Sequence, residues 1–341
     1  MSNQQQGLTI PRIIRLGDLE PRSPFLTAWE RHRHKKAHWV VESFAEFLAV
    51  FMYTYAGVGS QVLYIAQGIL PALGTGLSSI QQIGWAYAFG VVFALAVCAP
   101  TSGGHFSPSI TIVFVLFKGF PVLKGARYIA SQVLGCYVAC LLIYVQYKDL
   151  LDECEAALVQ AGKVDLLFTP LGPAGAFGIY LIPGSSLGRA FLNEFITDLM
   201  MGMVIFGCVD PTSVFVPPVL LPFVVAMAYA TAIWGYSVPG LAANTARDVG
   251  GRLAAMTIWG FQAHGGAYGA ITALTNIPAT LLAALLYQIF MVDSARVVPQ
   301  AHLENIDIHR YHGNNPGNEL DDRNSAISNS VEKVDVDTSL Q

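Results

Sequence analysis

Two stretches of this chain set side chains able to do chemistry among apolar neighbours: Ser107-Pro108-Ser109, and Asn244-Thr245-Ala246 followed by Arg247 and Asp248. Serine and asparagine are both favoured where a helix opens, because the side-chain oxygen accepts an orphaned backbone N–H. Proline at the next position loses nothing, since its missing N–H would have no intrahelical partner. Capping is one role for these triplets. Offering a hydrogen-bond donor to a passing solute is a second, and the two are compatible. Arg247 supplies a fixed cation, and Asp248 can pair with Arg252 one helical turn on. Glu46 and Glu194 lie inside apolar runs, where an ionised group at a membrane-helix centre costs about 2.5 to 3.5 kcal/mol unless it faces protein or water. Each is either a proton relay or an acceptor for backbone N–H groups of a nearby loop. His105 either lines or gates a vestibule by pH, or is a hydrogen-bonded loop residue.

The elements that must hold these residues are apolar and long. Of 341 residues, 53% are hydrophobic and 12% charged, about half the charged share of an average soluble domain. Between Trp39 and Phe117 the only acidic or basic residues are Glu42 and Glu46, whereas both ends of the chain are rich in them. A helix needs roughly 17 to 25 mostly apolar residues to cross a bilayer. Runs near that length occur at Trp39 to Ile65, Ile83 to Ala99, Ile129 to Tyr147, Ala190 to Val209, Val214 to Trp234 and Ala267 to Met291. An even number of crossings puts both termini on one side, and Arg31, Arg33, Lys35 and Lys36 mark that side as cytoplasmic. The acidic connection from Lys148 to Arg189 suits the opposite face. Residues 1–38 read as a polar cytoplasmic extension without a cleavable signal peptide, and residues 292–341 as a disordered cytoplasmic tail.

Ser107 to Phe117 and Asn244 to Ile258 are apolar but too short to cross, and each follows a glycine-containing polar loop, which marks them as re-entrant half-helices. The order of crossing, crossing, half-helix, crossing occurs twice, over approximately 39–148 and 189–291, and Ala45-Glu46-Phe47 opens the first half as Asn193-Glu194-Phe195 opens the second. Three crossings per half invert the second half relative to the first. The half-helices therefore enter from opposite faces and point their N-termini at each other. Facing positive dipole ends disfavour cations and interrupt proton hopping, which leaves neutral solutes as permeants.

Ser102-Gly103-Gly104-His105-Phe106-Ser107-Pro108-Ser109 and Asn244-Thr245-Ala246-Arg247-Asp248 resemble the two signature loops of the aquaporin, or major intrinsic protein, family. The likeness covers roughly residues 39 to 291 and includes both glutamates, Gln132-Val133-Leu134-Gly135 and the internal repeat. The family pattern is Asn-Pro-Ala in both loops, so Ser107, Ser109 and Thr245 depart from it. The resemblance implies an all-α membrane fold of six transmembrane helices and two half-helices, a homotetramer, and a structural role for Glu46 and Glu194. Arg247 is similar to the family's selectivity-filter arginine, and matching by offset from the motifs implies Tyr87, Ala232 and Leu241 as the other filter positions. Water-selective members resemble one another in carrying histidine at the Ala232 position, and Ala232 has neither its bulk nor its polarity. An aromatic ring opposite an aliphatic wall, with an arginine for hydroxyls, suits a polyol. Asp248 is likewise similar to the aquaglyceroporin-like branch, whereas Tyr87 and Leu241 are not that branch's usual aromatic pair.

The expected function is a passive channel for small uncharged solutes: glycerol or similar polyols, and water, with urea and hydrogen peroxide as further candidates. A plasma membrane location is expected. One rival is a non-conducting or gated membrane scaffold of the same fold. Another is a coupled secondary transporter, which would need titratable or ion-coordinating groups at the midplane, where Ser107 and Asn244 stand instead. No paired nucleophile and base, phosphate-cradling glycine loop or metal-ligand spacing is present, so no enzyme, catalytic residue, metal or cofactor is expected. Cys98, Cys136, Cys140 and Cys208 lie in apolar runs, and Cys154 is expected to be exposed. A net charge of −4 and the lack of basic residues interleaved with aromatic ones exclude a nucleic-acid partner.

Overall fold

Helices account for the regular structure throughout the computed structural model, which describes residues 14–20, 22–238 and 240–313. Ahead of the first crossing lie α1 (Leu16–Leu19), α2 (Pro24–His32), which is opened by Ser23, and a π-helical turn at Arg33–Ala37. The crossings are α3 (His38–Ile69), α4 (Ile80–Ser102), α6 (Val122–Gln146), α8 (Leu187–Val209), α9 (Leu221–Tyr236) and a broken sixth. That sixth span consists of α11 (Gly266–Leu274) and α12 (Asn276–Phe290). All six spans are long and apolar enough to cross a membrane, and most overrun the expected runs by a few residues because backbone pairing continues into the polar flanks. The sixth breaks at Thr275 because Pro278 has no N–H to donate to the Leu274 carbonyl.

The half-helices are α5 (Pro108–Phe117) and α10 (Thr245–Trp259), each preceded by the expected cap position, Ser107 and Asn244. Each packs on the third crossing of the other half, α10 on α6 and α5 on α12, while α4 and α9 pair across the centre. These approaches are close because small residues line them. A Cβ on Gly250 of α10 would lie 2.7 Å from the Val133 carbonyl oxygen of α6. Bulky side chains such as Phe44, Phe89, Phe93, Leu192, Ile196 and Ile289 stay exposed on the helix exteriors, where lipid would cover them.

Two expectations change. Cys154, expected to be exposed, is buried against Ala66 and Leu70, because the connection after the third crossing folds into α7 (Lys148–Gln160) and turns Cys154 inward with Leu151 and Leu158. The tail expected to be disordered contains α13 (Gln300–Gly313), whose His302 ring nitrogen lies 3.0 Å from the Ser213 carbonyl oxygen. Residues 314–341 lie outside the described residues.

Candidate pore

The glutamates hold the re-entrant loops. Glu46 accepts the N–H groups of His105 (3.1 Å) and Phe106 (2.8 Å) and the Gln132 side chain (2.7 Å). Glu194 accepts those of Ala242 (2.9 Å) and Ala243 (2.8 Å). The carboxylates are thus spent on backbone donors of the loops that lead into the two half-helices. Phe106 and Ala243, each directly before a cap, have φ of 51° and 57°, a left-handed conformation uncommon outside glycine. The glutamate bonds offset that cost.

The two caps differ. The Asn244 Oδ1 accepts the N–H groups of Ala246 (2.8 Å) and Arg247 (3.4 Å), and its Nδ2 donates across the centre to the Phe106 carbonyl (2.9 Å). This last bond joins the starts of the two half-helices directly. Ser107 occupies the cap position of α5, but its side chain caps nothing. This corrects the capping role expected for it: the hydroxyl turns to Ser109 Oγ (2.9 Å) and Asn276 Oδ1 (3.4 Å). Pro108 follows at the first helical position, so α5 has one fewer orphan N–H to satisfy. In the second motif Thr245 Oγ1 is buried without a hydrogen-bond partner, and Ala246 is wholly buried.

Beside the second motif lies a cavity of about 270 Å³, lined by Arg247, Asn244, Tyr87 and Leu241 together with Gln61, Tyr229, Ile65, Ile83, Ile179 and Ile233. Arg247 is fixed by acceptors on every side. Its Nε donates to the Tyr87 hydroxyl (3.0 Å), Nη1 to the Phe177 carbonyl, and Nη2 to Gln61 Oε1 (2.8 Å) and the Ala176 carbonyl (3.1 Å). Four of the five guanidinium N–H groups are thereby used, and one on Nη1 is left without a protein acceptor among the described residues. Tyr87 in turn donates to Gln61 Oε1 (2.8 Å). None of these acceptors is a carboxylate, so Arg247 has no direct ion-pair partner among the described residues. Asp248 is engaged elsewhere, bonding Arg252 at 2.6 Å through Oδ1 in a buried ion pair one turn along α10.

Ala232 differs from its expected position. It is fully buried with Met201 and Ala243 behind the wall, and α9 turns Tyr229 and Ile233 to the cavity instead. His105 is buried, bonded through Nδ1 to Thr111 Oγ1 (3.2 Å) and surrounded by Phe114, Phe120 and Tyr128, with ring centroids 4.6 to 5.3 Å away. These contacts fit the hydrogen-bonded loop residue rather than a gate. Sequence reasoning missed Gln61, the Ala176 and Phe177 carbonyls, Asp198 and Asn276. The last two carried a legible signal, because a buried acid and a buried amide inside apolar runs call for partners.

The cavity lining thus combines a guanidinium near the positive end of α10 with several isoleucine side chains. Among the described residues no cluster of His, Cys, Asp and Glu could hold a metal ion.

Comparison with known proteins agrees with this geometry. A family model described as Major intrinsic protein matches residues 33–268. The chain is similar to an aquaporin of Laccaria bicolor, 52% identical over 327 residues covering 94% of this chain and 98% of the relative. It is also similar to Aquaporin-3 of Laccaria bicolor, 54% identical over 306 residues covering 88% and 92%. A more distant similarity is to Aquaglyceroporin-2 of Rhizophagus irregularis, 32% identical over 62% of this chain and 64% of that one. Among solved structures, the aquaglyceroporin from Plasmodium falciparum shares the fold with a TM-score of 0.61 at 22% identity, covering 74% of this chain and 97% of that chain.

Proposed function

We propose that this chain, which belongs to the major intrinsic protein family and forms a passive membrane channel, conducts glycerol or a similarly slim neutral solute, with water as a second permeant. The observation that carries the reading is the wall of the 270 Å³ cavity, which includes both Arg247, hydrogen-bonded to no carboxylate among the described residues, and the apolar side chains of Ile65, Ile83, Ile179 and Ile233. A polyol needs both surfaces at once, whereas water needs only the donors. The distant similarity to a relative named Aquaglyceroporin-2 points the same way.

The filter set in this reading is Tyr87, Leu241 and Arg247, with Tyr229 and Ile233 replacing Ala232 at the wall, and the pore centre is formed by Ser107, Ser109 and Asn244. The channel works without an enzymatic step, as a homotetramer in the plasma membrane with both termini cytoplasmic. Arg31, Arg33, Lys35 and Lys36 before the first crossing support that orientation. Proteoliposomes carrying the full chain, compared for water, glycerol, urea and hydrogen peroxide, test it. Glycerol flux linear in its gradient and indifferent to pH and sodium is expected. Water flux without glycerol, urea or peroxide entry would overturn the solute assignment, and saturable, ion-dependent flux would indicate a transporter.

A further inference from the structure

The inverted repeat relates the two half-helix starts, yet their polar contacts are not symmetric. Asn244 on the second side reaches the carbonyl of Phe106, the residue before the opposite cap, at 2.9 Å. The mirrored bond would run from position 107 to the carbonyl of Ala243. Ser107 cannot make it, because its single hydroxyl is short and already engaged with Ser109 and Asn276. The Ala243 carbonyl receives the Nδ2 of Asn276 instead, at 3.4 Å.

We infer that Asn276, from the sixth crossing, supplies the brace across the centre of the pore that an asparagine at position 107 would otherwise make. Its side chain joins the first motif, through Ser107 Oγ, to the second, through Ala243. The amide orientation follows from its neighbours. The Nδ2 faces an acceptor in Ala243 and the Oδ1 faces the Ser107 hydroxyl. Asp198, one turn beyond Glu194, lies near the Asn276 side chain and is buried with no hydrogen bond to either carboxylate oxygen among the described residues, an unfilled acceptor beside that amide.

The break in the sixth crossing puts the residue at the right height. Pro278 interrupts the helix, and Asn276, the first residue of α12, is 4% exposed at the level of the two caps. It lies behind the motif and outside the cavity wall, which makes it a positioning residue. Both of its bonds to the motifs measure 3.4 Å, beyond the usual N–H···O range, so this brace is looser than the 2.9 Å bond on the other side.

The inference rests on the channel reading, and its test separates the two. Asn276→Ala, the double variant Ser107→Asn with Asn276→Ala, and the control Ser107→Ala with Asn276→Ala are reconstituted beside the unaltered chain and protein-free vesicles. Water and glycerol flux are measured on all of them, and amide hydrogen exchange is followed at Ala242 to Asn244. Asn276→Ala should lower glycerol flux several-fold, change the glycerol-to-water ratio and speed exchange in that loop. Adding Ser107→Asn should restore all three, and adding Ser107→Ala should restore none. A residue that only fills space would not be rescued from position 107. Unaltered flux and exchange in Asn276→Ala, or a double variant no better than the single, would overturn the inference. If Asn276→Ala does not assemble, recovery of assembly on adding Ser107→Asn supports the brace as recovery of flux would, and failure to recover overturns it. If the unaltered chain conducts nothing, the channel reading fails, while exchange and assembly still test the brace.

Discussion

Replacing Asn244 by alanine should damage this protein far more than replacing Ser107, although the two positions are equivalent in the repeat. Asn244 makes two kinds of contact: its Oδ1 caps α10 at 2.8 and 3.4 Å, and its Nδ2 satisfies the buried Phe106 carbonyl at 2.9 Å. Loss of a cap costs about 0.5–2 kcal/mol, and leaving a buried acceptor unsatisfied costs about 1–3 kcal/mol. The contacts share one side chain and are coupled, so the combined loss should fall at about 2–4 kcal/mol, roughly a 30- to 1,000-fold shift in the unfolding equilibrium. Ser107→Ala removes no cap, one 2.9 Å contact to Ser109 and one 3.4 Å contact to Asn276, and should cost below about 1 kcal/mol. Reversible unfolding of the purified variants in mixed micelles, followed by helical signal, measures both. Glycerol flux in vesicles should also fall in Asn244→Ala, because that side chain lines the cavity. Equal destabilisation by the two substitutions, or none by Asn244→Ala, would refute the asymmetric capping of the two half-helices.

Replacing Arg247 by valine should let protons or cations leak and flatten the preference among neutral solutes, since the guanidinium is a cation at the cavity wall hydrogen-bonded to no carboxylate among the described residues; a pH-sensitive dye inside vesicles reports it, and unchanged proton permeability with unchanged solute preference would remove Arg247 from the filter. Asp248→Ala should destabilise the protein by about 3–5 kcal/mol because it strands the buried Arg252 charge. Adding Arg252→Leu should recover part of that loss, and unfolding measurements on the single and double variants decide between an ion pair that holds the loop and an Asp248 that acts elsewhere.

The apolar runs, their lengths and their doubled order made the six crossings and two half-helices legible from sequence, because burial in lipid is a local requirement that each segment meets by composition. The same logic exposed Glu46 and Glu194 as buried acids needing partners, and their partners are the loops that precede the caps. Offset from the motifs placed Arg247, Tyr87 and Leu241, which the fold brings to one cavity. The same offset also named Ala232, which is buried among Met201 and Ala243, while α9 presents Tyr229 and Ile233 to the cavity. One residue along a helix is about 100° of rotation, and the rotation of α9 is set by packing against α4 and α8.

The sequence by itself determined the membrane class, the inverted repeat, the facing half-helices and the sites of both motifs, since each depends on residues close together in the chain. Only the tertiary structure decided which side chains cross the centre. Ser107 turns from its own helix toward Asn276, 169 positions away, and Asn244 reaches Phe106, 138 positions away. Such contacts depend on the relative height and rotation of elements that no local pattern relates. Hydrogen bonds that act only within about 3 Å are settled by that placement.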